Sequence, residues 1–140
     1  MYFCRGENIR MNIGDIFMGD PKFMSYERVV LFSGGNNIHS DIQVAKKCGL
    51  DQTYVSATQY LGHVVQLLVK TLGVRFHFWG KIYDTKFLKP VAIGDTLQSF
   101  CKVVNKIGEK YQDMLVFDIW VENQDGEKVL VGKARGVDWD

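Results

Sequence analysis

From Tyr60 to Leu72 the chain is apolar at positions 60, 61, 64, 65, 67, 68, 69 and 72, whereas Gln59, His63, Gln66 and Lys70 are polar. With 100° between successive residues, the four polar side chains share one narrow stripe and apolar groups fill most of the remaining circumference. This pattern predicts a largely buried helix over 56–73. Ser56 and Gln59 fit a capping box at its start, the hydroxyl accepting from a first-turn amide and the Gln reaching back to the cap. Gly73 supplies the stop. A single helix of about 24 Å that is apolar over so wide an arc needs a curved sheet to cover it.

The flanking segments supply that sheet. Residues 1–10 form a mixed polar tail without periodicity and are expected to be loosely held, and 11–17 read as a turn leading to a short extended piece before Pro21. Ser25 caps a helix over 26–33 whose Val29, Val30 and Phe32 are expected to point inward and which stops at Gly34-Gly35. Residues 36–40 are a loop, and Asp41 caps a short helix over 42–48. Beyond the long helix, 74–79 alternates Arg75, His77 and Trp79 with Phe76 and Phe78 and predicts a strand. So do 81–87 and 96–104. In 115–122 the odd positions are apolar and the even ones mixed, the clearest half-buried strand of the chain. Asp125-Gly126 marks a hairpin turn into a last strand over 128–137. The fold class expected is α+β, a single domain over 1–140 with a long antiparallel sheet curled around one central helix.

Composition narrows the function. Seventeen Lys and Arg balance 16 Asp and Glu, so the summed field recruits neither nucleic acid nor an anionic membrane. Cys4, Cys48 and Cys101 stand at unrelated spacings with no metal-ligand grouping, which reads as reduced thiols in a cytoplasmic protein. No apolar run approaches the roughly 18 residues of a spanning helix.

Two stretches carry recognisable motifs. One is Leu31-Phe32-Ser33-Gly34 leading to Asn36-x-Ile38-His39-x-Asp41 and Ala45-x-x-x-Gly49. The other is Phe87-x-x-Pro90-Val91-x-x-Gly94-Asp95-Thr96-Leu97. With Ile13-Gly14-Asp15 and the long helix, these resemble the MaoC-like hydratases and dehydratases of the hotdog fold, which include (R)-specific enoyl-CoA hydratases. The resemblance implies a hotdog domain, an acyl thioester of coenzyme A or a carrier protein as substrate, and no separate cofactor. It also implies a dimer, either of identical chains or with a related subunit. The family's hydration motif runs Asp-x-Asn-Pro-x-His. On this chain the His falls on His39 and the Asn on Asn36, but Asn37 replaces the Pro and Gly34 the Asp. Where the family starts its long helix with His-Gly-Met, this chain has Ser56-Ala57-Thr58.

Adding water across an enoyl thioester requires a base for the water, an acid for the α-carbon, and dipoles aimed at the carbonyl oxygen. His39 suits the first two roles because it changes charge near neutrality; the bland reading is a histidine that ties its loop together. The Ala57 amide, at a helix start, suits the third, while Ser56 is equally well explained as a cap. Asp41 is accounted for by capping. His63 and His77 are expected at solvent or an interface, and Cys48 and Cys101 as apolar filling. Lys46, Lys47, Lys81, Lys86 and Lys89 read as solvated surface. Trp79 and Trp120 are expected on outward strand faces, where they would suit a subunit contact. The lost acid leaves two alternatives to a working hydratase: a non-catalytic acyl-thioester-binding subunit of a heteromeric dehydratase, or another reaction such as thioester hydrolysis.

Overall fold

The computed structural model describes residues 11–109 and 112–138, without the side chains of 109, 112 and 113. The expected tail over 1–10, with Cys4, lies outside the described residues. The elements run β1 (Ile16–Met18), β2 (Lys22–Phe23), α1 (Tyr26–Ser33), α2 (Ile42–Lys47), α3 (Ala57–Leu72), α4 (Phe76–Trp79), β3 (Lys81–Phe87), β4 (Thr96–Glu109), β5 (Gln112–Glu122) and β6 (Lys128–Asp138). The strands form one antiparallel sheet in the order β1-β4-β5-β6-β3, with β2 pairing β4 at the side.

The long helix lies against this sheet as its apolar arc requires. Tyr60, Val64, Leu67, Leu68 and Leu72 of α3 are buried with Leu97, Cys101 and Val103 of β4, Leu115, Phe117, Ile119 and Val121 of β5, and Leu130 and Ala134 of β6. The alternation read in 115–122 is present residue for residue, Val116, Asp118, Trp120 and Glu122 being only half-buried. The two short helices start where their caps stand. Ser25 Oγ accepts from the Arg28 amide at 3.2 Å, and Asp41 Oδ1 accepts from the Gln43 and Val44 amides at 2.9 and 3.3 Å.

The strand expected over 74–79 is absent. Gly73 closes α3 at φ +87°, and the following amides bond locally: Phe76 N–H to Gly73 O, His77 N–H to Val74 O, and Phe78 and Trp79 N–H to Arg75 O. The result is the single turn α4, anchored by buried Phe76 and leaving Phe78 and Trp79 at 75% and 65% exposure. Gly80 then admits β3 only because it lacks a Cβ, which would lie 2.1 Å from the Phe76 ring and 2.5 Å from its carbonyl oxygen.

Three smaller expectations also change. Val29 is buried and Val30 half-buried, but Phe32 is 54% exposed because eight residues of helix bury only one face. Cys48 ends α2 at the surface, whereas Cys101 is buried in β4, where desolvation pushes its thiol up to about 12. Trp120 does not stand free: it stacks on Phe100, centroids 5.2 Å apart and planes at 7°, with the Lys128 ammonium 4.9 Å from its ring. Among the described residues no helix is long and apolar enough to cross a membrane.

Candidate functional site

The loop between α1 and α2 is tied by the residue standing in the proline's place. Asn37 donates from Nδ2 to Ser33 O at 2.8 Å, and its Oδ1 accepts from the His39 amide at 2.9 Å. Its carbonyl accepts from the Asp41 amide at 2.9 Å. Asn36 takes up the left-handed conformation at φ +58° and is exposed. So Asn37 builds the loop, and Asn36 supplies its left-handed turn, its side chain making no hydrogen bond among the described residues.

This loop brings His39, half-buried, to the segment before α3. Its Nδ1 lies 2.8 Å from the Tyr54 carbonyl oxygen. A carbonyl only accepts, so Nδ1 carries the proton and the neutral ring keeps its lone pair on Nε2. Tyr54 is in turn fixed by an antiparallel bridge to Ala92, and Val55 donates to Val91 O at 2.7 Å. The Ala92 amide donates to Asp95 Oδ2 at 2.9 Å, and Asp95 Oδ1 accepts from Gln124 Nε2 at 3.0 Å. A chain of contacts thus runs from the Gly94-Asp95 turn to the His39 ring. Neither Tyr54 nor Asp95 is apparent as a site residue in the sequence, since the first acts through its backbone and the second through another residue. Among the described residues no carboxylate hydrogen-bonds the His39 ring, and Asp41 is taken up by its cap.

Ser56 and Ala57 follow at the amino end of α3, both half-buried. The expected capping box does not form. Ser56 Oγ pairs with Thr58 Oγ1 at 2.9 Å instead of accepting from the helix, and the Gln59 amide group turns away to donate to Arg28 O at 3.2 Å. The packing of α1 on α3 has captured Gln59 and left the first-turn amides without a side-chain cap. Gly34, in the place of the family's acid, closes α1 at φ +77°, ψ −177°.

The polar stripe of α3 is only partly at open solvent: Gln59 is buried and His63 half-buried, whereas Gln66 and Lys70 are exposed. Gln59, His63 and Gln66 line an open groove of about 330 Å³ whose other wall is Arg28, Leu31 and Phe32 of α1 with Lys22 of β2. Desolvation, and then the nearby charges of Lys22 and Arg28, lower the His63 pKa to about 4. His77 is exposed as expected. Among the described residues no group of three or more His, Cys, Asp or Glu side chains is placed to hold a metal ion.

A family model described as the MaoC like domain matches residues 21–124. No curated protein matches the chain. Among solved structures, the (R)-hydratase from A. caviae involved in PHA biosynthesis is 18% identical with a TM-score of 0.74, over 93% of this chain and 98% of that one. The MaoC-like dehydratase from Rhodospirillum rubrum is 20% identical with a TM-score of 0.73, over 92% and 93%. The C-terminally truncated HadBC (3R-hydroxyacyl-ACP dehydratase) complex from Mycobacterium tuberculosis is 18% identical with a TM-score of 0.64, over 89% and 96%. At these identities the likeness is one of fold, and the fold is the hotdog.

Proposed function

This chain belongs to the MaoC-like domain family, and on that premise we propose that it hydrates an enoyl thioester of coenzyme A or a carrier protein, or runs the reverse dehydration. The observation that carries the reading is the bond from His39 to Tyr54 O, which leaves Nε2 as a base at the approach to α3. In hydration Nε2 takes a proton from water as the water oxygen bonds to the β-carbon. The π electrons move through the α-carbon to the thioester oxygen, where the Ala57 amide and the positive end of α3 stabilise the enolate. The imidazolium then returns the proton to the α-carbon, the carbonyl re-forms, and the ring ends neutral. Ser56 and Asn36 border this path, Ser56 beside the amide donor and Asn36 at the turn that aims His39.

Gly34 favours a second reading, in which the chain binds the thioester as one subunit of a heteromeric dehydratase and the partner supplies the carboxylate. The HadBC complex offers such an assembly as a precedent of fold. The assay that separates the readings follows loss of enoyl-thioester absorbance with the wild-type chain and with His39→Ala. A self-sufficient hydratase loses roughly 100- to 10,000-fold in turnover, the usual worth of a general acid or base. If both proteins are equally inactive on short and medium enoyl-CoAs but still bind acyl-CoA, the subunit reading replaces the first.

A further inference from the structure

The bond to Tyr54 O fixes one ring atom of His39, but a ring held at one atom still moves with its own backbone. Asn37, two residues earlier, holds that backbone. Its Oδ1 accepts from the His39 amide at 2.9 Å and from Ser40 Oγ at 3.3 Å, and its main-chain carbonyl accepts from the Ser40 and Asp41 amides at 3.2 and 2.9 Å. On the other side Nδ2 donates to Ser33 O at 2.8 Å, with Gly34 O and Gly35 O each at 3.4 Å. One residue thus ties the carboxyl end of α1 to the start of α2, with His39 between them. A side-chain oxygen that accepts from the amide two residues on closes a local turn. Proline has neither the acceptor nor the donor to do so.

The neighbouring backbone suits Asn37 and not the proline of the family's motif. A residue before proline is pushed toward extended backbone, whereas Asn36 stands at φ +58°. Gly34, at φ +77° and ψ −177°, turns the chain among the three carbonyls that converge on Nδ2. The departures from the motif at 34 and 37 therefore belong to one loop conformation.

We infer that Asn37 is the positioning residue of the His39 base: its side chain sets the backbone from which the ring reaches Tyr54 O, so that Nδ1 keeps the proton and Nε2 stays free. The chemical task of that base rests on the function proposed above; its geometry does not, and can be measured without any substrate.

Ring-nitrogen chemical shifts of the full chain read that geometry. Neutral His39 should carry its proton on Nδ1 in wild type, and Asn37→Ala, studied where circular dichroism shows it folded, should populate both tautomers. In the enoyl-thioester assay the same variant should lose about 10- to 100-fold in kcat with KM little changed, the scale of a misplaced catalytic group. Asn37→Pro, which restores the motif's residue, should lose activity rather than gain it. Ser25→Ala removes the cap at the other end of α1 and is the control: it destabilises the chain but should leave the His39 tautomer and kcat as they are. Should Asn37→Ala not fold, Asn37→Ser, whose hydroxyl closes the same turn more weakly, should shift the tautomers in the same direction by less.

Mixed tautomers in wild type, or an undisturbed Nδ1 proton in the folded Asn37 variant, overturn the role. With an active wild type, a loss of kcat no larger than that of Ser25→Ala overturns it too. If wild type holds the Nδ1 proton and Asn37→Ala loses it, but neither turns over any enoyl thioester, the positioning stands and the hydratase reading falls.

Discussion

The Nδ1 of His39 lies 2.8 Å from the carbonyl oxygen of Tyr54, so the orientation of the candidate base is set by a backbone atom fifteen residues away. That atom is held by the bridge to Ala92, whose amide is held by Asp95. Asp95→Ala leaves the Ala92 amide and the Gln124 side chain without their acceptor and should cost about 1–3 kcal/mol of stability. Because the loss reaches Tyr54, turnover should also fall at temperatures where the variant is folded. Denaturant unfolding together with the enoyl-thioester assay checks both, and a variant that is destabilised but fully active would show that the contact chain does not position His39.

Gly34 is the departure most tempting to reverse, and its backbone argues against an easy reversal. At φ +77°, ψ −177° it occupies a region essentially reserved for glycine, although a Cβ there meets nothing within 4 Å. The obstacle is conformational, of order 1–3 kcal/mol. Gly34→Asp should therefore lower stability by about that much and distort the α1 terminus. Gly35→Asp, where φ is not positive and the space is also open, should be near neutral. Thermal melts of the two variants side by side test this, and equal melting temperatures would refute it.

His63 gives a pH dependence of definite sign. Its pKa in the folded chain is lowered to about 4, first by desolvation and then by Lys22 and Arg28, against about 6.5 unfolded. The unfolded chain thus binds more protons between these values, and stability must rise with pH there. The contribution is fully present above the unfolded value and is lost as pH falls from 6.5 toward 4. Discounted for its partial exposure, it should amount to about 1–2 kcal/mol. His63→Gln should flatten that part of the stability profile between pH 7 and 4, and an unchanged slope would count against it.

What could be read from the sequence follows how local the deciding interaction is. Ser25 and Asp41 cap their helices as read because a cap bonds only to its own first turn, and Asp125-Gly126 turns the hairpin for the same reason. The arc of α3 and the alternation of β5 were legible because periodicity reports a face wherever the partner comes from. Residues 74–79 misled because aromatic alternation fits a strand or a single helical turn equally. Phe76 decides between them by packing beside Gly136, far along the chain. The capping box at Ser56 failed likewise: instead of accepting from the Ser56 amide, the Gln59 side chain donates from Nε2 to Arg28 O, 31 residues away. His39 was legible through its motif, but its partner is a carbonyl, which every residue has.

The sheet order leaves β3 at one end of the sheet, with β1 at the other. Its outer edge carries unpaired amides and carbonyls, which soluble proteins cover or pair. The register with β6 breaks between Tyr83 and Lys86, where Asp84 sits at φ +53°, so only short runs of β3 can pair regularly with another strand. Apolar surface has to carry the rest of a contact, and it lies beside this edge. Phe78 and Trp79 of α4 are 75% and 65% exposed, and Phe87 and Leu88 at the far end are 49% and 51% exposed. Two copies related by a two-fold axis through β3 would cover both features at once. The expected mass by light scattering at micromolar concentration is twice the 16.0 kDa of one chain. Phe78→Ser combined with Trp79→Ser, which alters no buried residue, should shift the population to the single chain. A wild-type mass of one chain would refute the homodimer and direct the search to a related subunit that covers the same edge.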